Sequence, residues 1–170
     1  LLGVVSERDL FSLQRISLRQ IRAGIDNAAD LEALQRASKD IRQLALTLIA
    51  QGIGAEQLTQ FISALNDALT RRIINLARER HDLVGIDFAW FAFGSEGRHE
   101  QTLSTDQDNA IIISDEVTAE QLAYFTALAE KVVGWLVDCG YPRCPGDIMA
   151  TNPRWRVPLE TWKAEFRQWM

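Results

Sequence analysis

Two aspartates separated by one residue, Asp106 and Asp108, stand just before an apolar run at residues 110–113. In an extended segment, side chains at positions i and i+2 project to the same face and lie roughly 7 Å apart at the backbone. Carboxylates held together at the start of a buried strand repel each other unless a cation lies between them. Hard oxygen ligands with few protein donors favour Mg²⁺, which is often completed by waters and substrate phosphates. The spacing therefore predicts a Mg²⁺ site at Asp106 and Asp108.

A glycine and a serine, Gly94 and Ser95, follow an earlier apolar run at residues 88–93. Glycine lets the backbone approach an oxyanion closely, and free N–H groups at a helix start attract it, so this turn suits phosphate binding. Arg98, about one helical turn later, adds a planar guanidinium for the same phosphates. Each feature alone is a weak signal. Their order is informative, because a strand, Gly-Ser, the spacer 96–105, Asp-x-Asp and a second strand follow one another.

Two helices are predicted before this segment. Apolar stripes within residues 30–51 and 58–80 favour helices that pair as an antiparallel hairpin across the turn 52–55. The second stripe carries arginines on its polar face: Arg71, Arg72, Arg78 and Arg80. Arginine favours the C-terminal end of a helix through the helix dipole, so a solvated face is the preferred interpretation over an anion or nucleic-acid patch.

The two apolar runs, 88–93 and 110–113, are continuous, which predicts strands buried on both faces. The fold class that follows is α+β: an N-terminal helical hairpin or bundle, then a small mixed sheet with flanking helices.

A further helix is predicted to begin at Thr118, because Thr118 and Gln121 match the capping-box pattern, and to end at Gly140. Residues 141–158 hold all 4 prolines and should be mostly loop. A last amphipathic helix is expected at residues 159–170.

The chain has 170 residues, 47% of them hydrophobic and 24% charged, and a net charge of -5. This composition is that of a globular protein and excludes disordered, collagen-like and disulfide-scaffold classes. Nucleic-acid binders usually have a basic face, so no nucleic-acid partner is expected. The sequence has no apolar run near the roughly 20 residues that cross a bilayer and no signal-peptide pattern. We therefore expect a cytoplasmic protein without a membrane partner.

Several other residue types could carry chemistry, beginning with two cysteines and two histidines: Cys139, Cys144, His81 and His99. A zinc site would need all four to converge from separate regions, so the cysteines are expected to be reduced, buried thiols. His99 offers a general base, but the sequence shows no orienting partner for it. Three tryptophans recur every seven residues: Trp155, Trp162 and Trp169. Their spacing favours one packing face of the last helix over a base-stacking platform.

The string at residues 93–110, Phe-Gly-Ser-Glu-Gly-Arg-x-Glu-Gln-Thr-Leu-x-Thr-Asp-Gln-Asp-Asn-Ala, resembles the signature of the DNA polymerase beta type nucleotidyltransferase superfamily. It more closely resembles a bacterial family of signal-transduction nucleotidyltransferases associated with CBS domains, which is similar to the catalytic domain of nitrogen-regulatory protein uridylyltransferase. The string at residues 144–155 resembles the second motif of that family. Residues 1–11 resemble the closing strand and helix of a CBS domain.

The resemblance implies roles for the matching residues. Gly94 and Ser95 would hold a nucleoside triphosphate with help from Arg98, and Asp106 and Asp108 would be catalytic ligands of Mg²⁺. The implied reaction is attack of a hydroxyl, on a protein or small molecule, at the α-phosphorus with loss of pyrophosphate. The superfamily's third carboxylate, on a later strand, is not evident, so we expect the chain to end before it and to turn over poorly.

The expected domain organisation has three parts: residues 1–11 as the tail of a CBS domain, 12–82 as a helical region, and 83–170 as a nucleotidyltransferase-like domain truncated at its C-terminus. Two alternatives to an enzyme stay open. One is a catalytically inactive regulatory module that senses nucleotide and signals through the helices to CBS domains. The other is an oligomerisation module, a homodimer formed through the helical region.

Overall fold

The structure is a computed structural model that describes the backbone of residues 7–78 and 87–169 and the side chains of residues 17–78 and 87–168. Three long helices come first: α1 (Glu7–Asp26), α2 (Leu31–Ala50) and α3 (Ala55–Arg78). The predicted strand at the start of the chain, as well as Arg80 and His81, lie outside the described residues.

The predicted hairpin of α2 and α3 is confirmed, and α1 packs against both helices. Asp30 caps α2, because its side chain accepts a hydrogen bond from the backbone N–H of Ala33 at 2.8 Å. Gly52 adopts φ +77 in the connecting turn, a conformation that glycine enters without steric cost.

Arg72 differs from the predicted solvated arginine face. Its Nε and Nη2 donate to the backbone carbonyl of Ala28 at 2.9 and 2.7 Å. This contact joins α3 to the turn between α1 and α2, so Arg72 has a structural role that helical spacing alone does not reveal. Arg71 is mostly exposed, as predicted.

A three-stranded mixed sheet follows the helices: β1 (Phe88–Ala92), β2 (Asn109–Ile113) and β3 (Arg156–Pro158), in that spatial order. β1 pairs antiparallel with β2, and β3 pairs parallel with it. The sheet and its flanking helices confirm the predicted α+β class.

Two strand predictions need correction. β1 is an edge strand of this sheet and not buried on both faces, since Phe91 is 39% exposed. β3 lies in a region predicted as loop. With three residues and a terminal proline, it is too short for a recognisable periodicity, and its pairing with β2 defines it. β2 is buried on both faces, as predicted.

The other helices are a single turn, α4 (Gly94–Gly97), and two longer ones, α5 (Ala119–Asp138) and α6 (Leu159–Trp169). The capping box of α5 is confirmed, with Thr118 and Gln121 exchanging side-chain to backbone hydrogen bonds. Gly140 follows the end of α5 at φ +89. The part of the chain that the structure describes has no helix long and apolar enough to cross a membrane.

The main core joins the helices to one face of β2, where Ile111 and Ile113 pack with buried residues of α3 and α5. Some apolar residues of these helices are exposed instead: Ile49, Phe61 and Leu122. Trp162 is 2% exposed and donates from Nε1 to the carbonyl of Ile111. Trp155 packs against Trp162 with ring centroids 5.9 Å apart, but it lies in a 3-10 turn (Pro153–Trp155) before α6 and not on the helix as predicted.

Candidate active site

Residues 106–109 form an extended segment whose side chains alternate between two environments. Gln107 and Asn109 are buried, with 3% and 1% of their surface exposed, while Asp106 and Asp108 are partly exposed. Successive side chains of an extended segment point to opposite faces. The two amides therefore face the interior, and the two carboxylates share the outer face, which is the placement that the spacing predicts.

Hydrogen bonds to the inner amides hold this segment in register. Gln107 donates from Nε2 to the carbonyl oxygens of Val133 and Tyr141 at 3.3 and 2.8 Å. Asn109 accepts at Oδ1 from the backbone N–H of Ala150 at 2.9 Å. A shift by one residue would expose these amides and bury the carboxylates, so the hydrogen bonds also fix the direction of the aspartates.

The glycine turn meets the same carboxylates. Gly94 adopts φ +53, and a β-carbon added there would lie 2.2 Å from Oδ2 of Asp108. Backbone pairing brings the turn to this position, because the N–H of Phe93 donates to the carbonyl of Asp108 at 2.9 Å. The structure therefore brings Gly94 and Asp108 into one site.

Ser95 follows in the first turn of α4 and is partly buried. Its Oγ lies 3.0 Å from Oγ1 of Thr105, a buried residue at the end of the spacer. Its carbonyl accepts from the N–H of Glu100 at 2.8 Å. These contacts close the spacer into a loop that returns to its starting point, so the serine hydroxyl is held next to the segment that carries the aspartates.

Arg98 lies just after α4, and its side chain is 64% exposed. Its Nε donates to Oε2 of Glu100 at 2.8 Å. The guanidinium is therefore engaged at the surface, and its predicted contact with a phosphate requires the side chain to use its remaining N–H donors or to leave Glu100.

Cys144 belongs to the site as well, which the residue types alone did not indicate. One donor atom each of Asp106, Asp108 and Cys144 lies within 4.8 Å of the other two. A parallel bridge between Gln107 and Arg143 brings the cysteine alongside the aspartates. The second family-like motif, which begins at Cys144, is the signal that could have placed it there.

The thiol of Cys144 is free, as predicted for both cysteines. Burial raises its pKa, and a hydrogen bond to the Asp108 carboxylate raises it further. The thiol therefore stays protonated near neutral pH, and the negative charge of the cluster comes from the two carboxylates. Such a donor set fits a hard divalent cation held by Asp106 and Asp108.

Two further polar residues lie near the aspartates: Glu96 within α4, and His99 just after it. Burial raises the pKa of Glu96 to about 7, and the negative charges of Asp67 and Asp108 add to the shift. His99, at φ +55, has its Nδ1 3.7 Å from Oδ2 of Asp67. The histidine thus has a partner that the sequence did not show, because Asp67 belongs to helix α3.

The third carboxylate of the implied superfamily site was not evident from the sequence. The strands of the described part, β1 to β3, carry no acidic residue. On β3 the polar position is Arg156, which is buried and donates from Nη1 to the carbonyl oxygens of Ala150 and Thr151.

Comparison with known proteins bears on the identity of this site. The chain matches no curated protein and no solved structure. The model of a family described as "Putative nucleotidyltransferase DUF294" matches residues 39–170, which are 132 of the 170 residues and include all the site residues described above. The relation to CBS domains and to uridylyltransferases stays a prediction. The chain belongs to the DUF294 family of nucleotidyltransferase-like proteins.

Proposed function

We propose that this protein is a Mg²⁺-dependent nucleotidyltransferase that moves a nucleoside monophosphate from a nucleoside triphosphate to a hydroxyl group. One observation carries the proposal: the carboxylates of Asp106 and Asp108 lie close together, and that of Asp108 occupies the space that a β-carbon at Gly94 would need. Family membership supports the same reaction class.

Each site residue has a role in this proposal. Asp106 and Asp108 would hold Mg²⁺, which neutralises phosphate charge and orients the triphosphate when it is bound. The backbone at Gly94 can approach a phosphate closely because it has no side chain. Ser95 would donate a hydrogen bond from its hydroxyl to a phosphate oxygen, and Arg98 would form an ion pair with the outer phosphates.

The transfer itself forms one bond and breaks another. The acceptor oxygen bonds to the α-phosphorus, and the bond from that phosphorus to the bridging oxygen breaks. Pyrophosphate leaves with the electron pair, and the acceptor hydroxyl releases its proton to a base. The residues contribute by positioning the two reactants and by stabilising charge.

The net charge of -5 bears on the acceptor. A polynucleotide would be repelled by an acidic protein unless a basic groove received it. The proposed acceptor is therefore a hydroxyl group on a protein or a small molecule.

The test compares pyrophosphate release from γ-labelled nucleoside triphosphates, with Mg²⁺ and with water as the fallback acceptor, in the wild type and two variants. Asp106→Asn and Asp108→Asn remove one negative charge each from the site. Release should fall by roughly 100-fold or more in either variant, because charge stabilisation at the reacting phosphate is lost. Asp40→Asn, at an exposed position of α2, is the matched control and should behave as the wild type.

Circular dichroism and thermal melting establish that the variants are folded. If folded Asp106→Asn and Asp108→Asn proteins release pyrophosphate at the wild-type rate, the proposed activity does not reside at this site.

A nucleotide-sensing module is the second candidate function, favoured by the lack of an acidic residue on the described strands. In this case nucleotide would bind at the same residues without transfer, and helices α2 and α3 would transmit the binding. Calorimetry that detects Mg²⁺-dependent triphosphate binding, with no pyrophosphate formed with any acceptor mixture, would support the sensor over the enzyme.

A further inference from the structure

A cleft of about 380 Å³ lies between helix α3 and the segment that contains β1 and α4. It shares α4 with the candidate active site, because Glu96 and Gly97 line the cleft while Gly94 contacts the Asp108 carboxylate. The backbone is tightly packed at this turn, since a β-carbon added at Gly97 would lie 2.6 Å from the carbonyl oxygen of Ala92. The cleft therefore adjoins the aspartates across a single helical turn.

Two carboxylates line this cleft, those of Glu96 and Asp67, together with the side chains of Arg71 and His99. The charge of Asp67 is partly offset, because its Oδ2 lies 3.7 Å from Nδ1 of His99 and 4.0 Å from Nη2 of Arg71. Glu96 has a neutral neighbour, the hydroxyl of Thr70, as its hydrogen-bond donor. Carboxylates repel phosphates and accept hydrogen bonds from hydroxyl groups. The cleft is therefore unsuited to the triphosphate and suited to an acceptor that carries hydroxyls.

Trp90 lines the same cleft, and its indole N–H is buried with no hydrogen-bond partner among the described residues. A buried donor that lacks an acceptor destabilises the fold. The neighbouring Phe91 does not share this position, because its side chain points to the opposite face of β1 and its ring packs against that of Phe93. The Trp90 side chain therefore adds an apolar surface to the polar lining of the cleft.

We propose that this cleft binds the acceptor of nucleotidyl transfer, a small polyhydroxylated molecule without phosphate, and that the Glu96 carboxylate takes the proton of the attacking hydroxyl. The inference rests on the proposed function and names its acceptor class. The volume of the cleft is at the lower end of small-molecule sites, roughly 300–1,000 Å³, which fits a single polyol ring.

The proton of the attacking hydroxyl has an acceptor in this step, the Glu96 carboxylate. As the acceptor oxygen bonds to the α-phosphorus and pyrophosphate departs, the hydroxyl proton passes to Glu96 and then to solvent. A general base works best when its pKa is near the working pH, and that of Glu96 is raised to about 7 by burial and by the nearby charges of Asp67 and Asp108.

Binding is tested first, on the full ¹⁵N-labelled chain, with glycerol, myo-inositol, glucose and glucosamine as probes. The indole N–H cross-peak of Trp90, assigned by its absence from the spectrum of Trp90→Phe, should shift in a saturable way with at least one probe. Absence of a shift with every probe overturns the inference, whether or not the protein uses nucleotide.

Activity is tested next, as pyrophosphate release from γ-labelled triphosphate with and without the probe that binds. The fate of the transferred monophosphate is followed with α-labelled triphosphate. Glu96→Gln should lower probe-stimulated release by about 100-fold, the usual size of a general-base contribution, while calorimetry shows unchanged Mg²⁺-triphosphate binding. Glu116→Gln, at an exposed position after β2, is the control and should match the wild type.

The two proposals can fail separately. The acceptor assignment is overturned if the probe stimulates a folded Glu96→Gln protein as much as the wild type. It is also overturned if the label is transferred to a protein hydroxyl and not to the probe. Neither result contradicts the proposed transferase activity. If the wild type neither binds triphosphate nor releases pyrophosphate, the proposed transferase activity is overturned. The Trp90 titration still reports on binding in the cleft.

Discussion

Gly94 lies so close to Asp108 that a β-carbon at position 94 would sit 2.2 Å from Oδ2 of the aspartate. The residues are brought together by strand pairing, since the N–H of Phe93 donates to the carbonyl of Asp108. Glycine at this position therefore serves two needs: the positive φ of the turn and the space that the carboxylate occupies.

The first prediction concerns this contact. Gly94→Ala should displace the Asp108 carboxylate and lower pyrophosphate release by roughly 100-fold, as expected for a misplacement of about 1 Å at a reacting centre. The positive φ should also cost about 1–2 kcal/mol in the free energy of unfolding. Gly134→Ala is the control: position 134 lies within α5 with open space around it, so the change should raise stability by about 0.5–1 kcal/mol. Equal activity of Gly94→Ala and wild type would show that Asp108 tolerates displacement.

The second prediction is a pH dependence of stability that arises from Glu96. Its pKa is about 7 in the folded protein and 4.5 as the ordinary value of a glutamate, so between these pH values the folded state binds more protons than the unfolded state. Stability from this group is therefore present at low pH and is lost as the pH rises through 7. The full loss is up to about 3 kcal/mol, since each pKa unit corresponds to about 1.4 kcal/mol.

Glu96→Gln should remove this dependence. Urea unfolding should show the variant to be more stable than the wild type at about pH 8.5 and little different at about pH 4.5. A wild type that becomes more stable relative to the variant as the pH rises would mean that the charged form of Glu96 is favoured by the fold.

The third prediction concerns the inner amide that holds the aspartate segment. Gln107→Ala leaves two buried carbonyl oxygens, those of Val133 and Tyr141, without this donor and should cost about 1–3 kcal/mol of stability. The segment loses its anchor, so affinity for Mg²⁺-triphosphate should fall as well, measured by calorimetry. Gln60→Ala, at an exposed position of α3, should change neither quantity. If a destabilised Gln107→Ala protein binds nucleotide as tightly as the wild type, Gln107 stabilises the fold but does not position the aspartates.

The fourth prediction is that Cys144 reacts slowly with iodoacetamide at about pH 8, because the thiolate is the nucleophile and its formation is suppressed. Burial and the hydrogen bond to Asp108 both raise the pKa of this thiol. Asp108→Asn removes the neighbouring charge and should accelerate alkylation several-fold. The measurement is made by mass spectrometry in a Cys139→Ser background, so that a single thiol is followed. Rapid alkylation of Cys144 with Asp108 intact would mean that the two side chains are not in contact.

Much of the local structure can be predicted from the sequence. The capping box at Thr118 and the turn at Gly52 are confirmed, because a helix boundary depends on residues within a few positions of it. The shared face of Asp106 and Asp108 is likewise a local property, which follows from the two-residue repeat of an extended segment.

Tertiary packing decided the rest of the site. Cys144 reaches the aspartates through pairing across more than thirty residues, as does the short strand β3 with β2. The charge of Asp67 acts on Glu96 because α3 lines the same cleft of about 380 Å³ as β1 and α4. Spacing along the chain carries no information on these contacts, because each depends on how separate elements share one core. The aspartate pair could therefore be predicted from neighbouring residues, whereas the pKa of Glu96 was set by burial and by the charges of Asp67 and Asp108, which the fold brings near it.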